Sequence, residues 1–95
     1  MLAKLPAERA ALLEAADLIE EYGHAKGYLG QKGEPMCAIG ALEAATDGNM
    51  PVAFAGTDVL SLYLGNADVV DWNNAPERTK EEVVNTLRAA ALQGL

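Results

Sequence analysis

An all-α chain is predicted by three features: an alanine- and leucine-rich composition, few aromatic residues, and apolar positions recurring at helical spacing. Hydrophobic residues make up 51% of the 95, with one Trp, one Phe and three Tyr among them. Alanine and leucine lose little entropy in a helix, whereas β-branched and aromatic residues favour strands. A chain this short buries roughly 60–65% of its unfolded surface and has little to spare for a second core. The expectation is therefore a single helical domain spanning residues 1–95. About four helices should pack around a buried central one, running from about Pro35 to Ala45.

The first helix should open near Pro6, whose fixed φ suits a first turn, and stop at Gly23, a good left-handed terminator. Leu5, Leu12, Ala15, Ala16, Ile19 and Tyr22 share one face, with Glu14, Asp17, Glu20 and Glu21 largely opposite. Leu13 falls among the acids in helical projection and is free to touch a neighbour. His24 to Gly33 holds three glycines, two lysines and no periodicity, which reads as a surface loop of the kind that often carries function. The central helix has almost no polar face and belongs inside. Gly40 costs that helix about 1 kcal/mol relative to alanine, which fits the close approach of another element.

Asp47-Gly48-Asn49 ends the central helix, and Met50 to Ala55 reads as a loop or short extended piece. Thr57-Asp58 then looks like the cap and first residue of a short, mostly buried helix reaching Leu64-Gly65. Ala67 to Pro76 is a structured connection in which Trp72 packs inward and Asp71 and Asn73 tie down the chain. Arg78 is placed to bridge that connection to an acid such as Asp71. The final helix starts with a capping box, Thr79 and Glu82, and carries Val83, Val84, Leu87, Ala90 and Ala91 as a stripe to about Gln93.

Charge narrows the partners. Fourteen acids against seven bases give −7, with no basic cluster able to neutralise several phosphates. Direct nucleic-acid binding is not expected, and the same charge would be repelled by an anionic membrane. No apolar run approaches the ~20 residues that span a bilayer. Met1-Leu2-Ala3-Lys4 leads into a charged amphipathic helix instead of a signal-peptide core. With one cysteine, and so no internal disulfide, a reducing cytoplasmic setting is expected.

Cys37-x-x-Gly40-Ala41-Leu42, then Trp72-Asn73-Asn74, then Arg78-Thr79 occur in that order along nearly the whole chain. In this order they resemble a small uncharacterised family from actinobacteria and their phages, in which Asp is common at the position of Asn74. The resemblance implies such an origin and implies no activity.

Cys37 is the one soft nucleophile. Were Pro35 the first residue of its helix, the thiol would lie near the third, where free N–H groups and the helix dipole stabilise a thiolate. His24 as base and Asn73 as orienting residue would complete a Cys-His-Asn set of the kind some cysteine hydrolases use. The structural alternatives are a core cysteine among alanines and isoleucine, and a His24 that caps the first helix. A lone His and Cys without CxxC or HxxxH spacing predict no metal, and Gly27-Tyr28-Leu29-Gly30 lacks the strand and lysine of a phosphate loop. No cofactor is expected.

Two readings from different classes follow. The leading one is a small acidic interaction protein that binds a protein partner, and possible homodimer, through Leu13, Asp17 and Leu92. The alternative is a cysteine-dependent hydrolase or transferase using Cys37, His24 and Asn73. An acidic mimic of nucleic acid is a third, weakened by the seven bases.

Overall fold

The computed structural model describes residues 5–94. The reading of Met1 to Lys4 falls outside them. Five helices follow in order: α1 (Ala7–Tyr22), α2 (Ala38–Ala45), α3 (Met50–Tyr63), α4 (Val69–Asn74) and α5 (Lys80–Leu92). The all-α class is as the composition requires. As expected, α2 is interior, with no exposed residue along it, while α1 offers the broadest packing surface, against α5, α2 and α3. Leu12, Ala15, Ala16 and Ile19 of α1 are fully buried, as are Leu42 of α2, Leu60 of α3 and Leu87 of α5. Burying each Leu or Ile contributes about 1.5–3 kcal/mol.

Three boundaries differ from expectation, each for a local reason. In place of helix from Pro35, the chain is extended there, and His24 and Met36 form an isolated parallel bridge. Ala25 N–H donates to Met36 O and Met36 N–H to Gly23 O, so α2 begins only at Ala38 with Cys37 as its cap. The third helix starts about two turns early, at Met50, because the Asn49 side chain accepts from Val52 N–H and Pro51 sits in the first turn. Thr57 is consequently mid-helix and donates its hydroxyl to Ala53 O. The expected connection at Ala67 to Pro76 contains α4, capped by Asp68, whose Oδ1 accepts from Asp71 N–H.

Individual side chains shift accordingly. Tyr22 is exposed, and Leu13, off the core stripe in projection, does touch a neighbour, being partly buried against the core. Thr79 caps α5 through Glu82 N–H, while the Glu82 carboxylate turns to Arg78. Arg78 reaches no acid of the connection. Its Nε donates to Trp72 O, its guanidinium lies 4.8 Å over the Trp72 ring, and Nη1 pairs with Glu82 at 2.7 Å.

The approach at Gly40 is made by the loop before α2. A Cβ there would stand 1.9 Å from the Leu29 carbonyl oxygen, which also accepts from Cys37 N–H. Only a hydrogen on the Gly40 α-carbon leaves room for that carbonyl.

Candidate functional site

Asn73 organises the region where α2, α4 and the segment 24–37 meet. It is 2% exposed, and its amide is saturated. Oδ1 accepts from Ala38 N–H at 3.0 Å and stands 2.7 Å from His24 Nε2; Nδ2 donates to Ala25 O and to Asn74 Oδ1, both at 3.0 Å. The Ala38 and Ala25 partners fix which amide atom is oxygen, so His24 Nε2 must carry the proton and donate. Asn74 Oδ1 also accepts from Gly27 N–H, and Lys26 Nζ donates to Ala75 O at 2.7 Å. Together these bonds stitch the segment onto α4. His24 therefore spends its ring on Asn73 and does not cap α1, whose last turn is closed by Gly23 N–H on Ile19 O.

Cys37 is buried, with 8% exposed. As the cap of α2 its sulfur accepts from Gly40 N–H at 3.3 Å, and among the described residues no hydrogen bond joins it to the imidazole. So His24 and Asn73 are brought together, while the thiol is engaged elsewhere. What the thiol does face is a mainly apolar cavity of about 220 Å³, which it lines with Leu29, Ile39, Val69, Asn73 and Asn74. Tyr28, Leu29 and Val70 are exposed on its rim, at 59%, 48% and 49%, and His24 does not line it. These rim residues escaped sequence reading because a two-residue apolar step in a loop or a six-residue helix has no period to detect. The one available signal was Asp68 as a cap immediately before Val69-Val70.

The other sequence candidates lie apart. Asp17 is exposed on α1 and pairs with Arg88 of α5 at 2.8 Å. Arg88 also meets Glu20 at 3.0 Å, and that hydrogen bond, reinforced by its charge, holds the Glu20 carboxyl below its ordinary value of 4.5. Leu92 is 51% exposed at the end of α5. No cluster of three or more His, Cys, Asp or Glu suited to a metal occurs among the described residues, and none of their helices is long and apolar enough to cross a membrane.

A family model matches residues 5–93, the full run of helices just described. The chain belongs to DUF6197, a family of unknown function. The match spans every residue of the DUF6197 chain that shapes the Asn73 hub and the cavity. No curated protein and no solved structure matches this DUF6197 member.

Proposed function

We propose that the protein is a non-catalytic binding module of the cytoplasm whose cavity between the 27–29 loop and α4 receives an apolar side chain of a protein partner. The observation that carries this reading is the pairing of a mainly apolar cavity of about 220 Å³ with three exposed apolar residues, Tyr28, Leu29 and Val70, on its rim. Apolar concavities edged by exposed aromatic and aliphatic side chains are what protein partners use as anchor pockets. The polar groups beneath are all satisfied by one another, so they act as a frame and leave the recognition to shape and apolar contact. The resemblance to an actinobacterial and phage family supports looking for the partner among bacterial host proteins.

Selection of random peptides on the immobilised protein tests this. Enriched peptides should share a large apolar residue, and their affinity should fall at least tenfold, about 1.4 kcal/mol, in Val70→Glu. Peptides that bind Val70→Glu as well as the parent would sink the reading.

The thiol lining that cavity beside a His24–Asn73 hydrogen bond favours a second reading, cysteine-dependent hydrolysis or group transfer. Alkylation distinguishes the two. A sulfur that caps α2 reacts slowly near neutral pH and more slowly still with a selected peptide bound, whereas a catalytic thiolate reacts fast and loses that rate in His24→Ala.

A further inference from the structure

The seven bases are not spread evenly. Residues 33–77 contain seven of the fourteen acids and no Lys or Arg, so this segment carries the whole net charge of −7 and the remainder of the chain is neutral. Structurally the segment is α2, α3, α4 and their connections. The ion pairs found among the described residues all lie outside it, at Arg78–Glu82 and at Arg88 with Asp17 and Glu20.

Within this cation-free half, α3 has an outer face unlike that of any other helix. Ala53, Gly56 and Leu60 face the core, and the opposite side exposes Phe54 at 59% and Leu62 at 68%. Asp58, also exposed, is the only charged residue of the helix and stands midway between them. Among the described residues it accepts no hydrogen bond from a side chain or from a backbone N–H outside the helix, and it forms no ion pair. The three residues, spaced four apart, form one i±4 ridge, the kind of ridge that packs into the groove of a crossing helix.

We infer that the Phe54–Asp58–Leu62 ridge of α3 is the docking face for a basic amphipathic helix of a partner protein, one that sets a Lys or Arg against Asp58 between two apolar residues. Charge complementarity selects this occupant. A second copy of the chain is disfavoured, because an antiparallel pairing about the ridge centre opposes Asp58 to Asp58 and joins two chains of charge −7. A cationic helix meets the opposite situation: the anionic half attracts it from a distance, Asp58 fixes its register, and Phe54 and Leu62 supply the apolar contact. This face uses none of the residues of the cavity proposed above, so each surface can fail alone.

The test uses the full chain and a synthetic peptide of about 20 residues, long enough to be helical, with leucine on one face and lysine on the other. Fluorescence anisotropy should show binding that weakens severalfold as salt rises. Leu62→Ser and Asp58→Lys should each weaken it at least tenfold, Asp58→Asn should reduce its salt dependence, and a glutamate-for-lysine peptide should not bind. Val70→Glu and Glu81→Lys, which alter the cavity rim and an exposed acid of α5, should change it by less than about twofold, through net charge alone. All three ridge variants change exposed side chains, and circular dichroism verifies their folding. No binding, binding indifferent to Leu62→Ser and Asp58→Lys, or a dimer in sedimentation that Leu62→Ser dissolves would each overturn the assignment.

Discussion

The Asn73–Asn74 pair divides two jobs between neighbouring amides. Asn73 uses both ends of its amide, accepting from Ala38 N–H and donating to Ala25 O. Asn74 contributes only its oxygen, to Gly27 N–H and Asn73 Nδ2. Asn73→Ala strands a buried N–H and a buried carbonyl, and unfolding in urea should show a loss of about 2–4 kcal/mol. Asn73→Asp should cost comparably, because a second oxygen would then face Ala25 O and Asn74 Oδ1. By contrast, Asn74→Asp keeps both accepted bonds and should stay within about 0.5 kcal/mol of the parent. What position 74 needs is an acceptor, not an amide. A loss as large at Asn74→Asp as at Asn73→Asp would refute the division.

Contacts between elements were unequally legible. The α1 and α5 faces repeat over three or more turns, so Leu12, Ile19, Val83 and Leu87 were readable from spacing alone. The start of α3 was not, because Asn49-Met50-Pro51 reads equally as a turn, and only its bond to Val52 N–H makes Asn49 a cap. Six-residue α4 is too short for any period, and with it the cavity rim stayed hidden. The clasp between α1 and α5 also needed coordinates, since Arg88 and Glu20 are 68 residues apart in sequence. It yields a titration prediction. The Glu20 pKa is depressed by its hydrogen bond to Arg88 and then by that charge, so its stabilisation is present above the unfolded value of 4.5 and fades as pH falls through the folded value. Carboxyl NMR should place Glu20 below 4.5 in the parent, and Arg88→Gln should return it upward. The pair is exposed, so stability near neutral pH should barely move. An unchanged Glu20 titration in Arg88→Gln would rule out the clasp.

For the whole molecule, α1 has the broadest packing surface and the segment 24–37 is held at the edge. Packed against α5, α2 and α3, α1 should exchange its mid-helix amides only on global unfolding, whereas α4 and the segment 24–37 should open earlier as a unit linked by Asn73 and Asn74. Hydrogen exchange checks this, and equal protection of Ala25 and Leu12 amides would contradict it. The fold class followed from composition because helix propensity is summed over the chain, and the interior place of α2 from its lack of a polar face, while which helices meet is a fact about arrangement that no single stripe records. One consequence concerns the Leu29 carbonyl seated on Gly40. Because that oxygen is pinned between a glycine α-carbon and the Cys37 N–H, the wall carrying Tyr28 and Leu29 is already in place in the closed, fully folded state before anything arrives. A guest meets a backbone socket already formed, has only the rim side chains to order, and should associate in one fast step without a slow conformational phase.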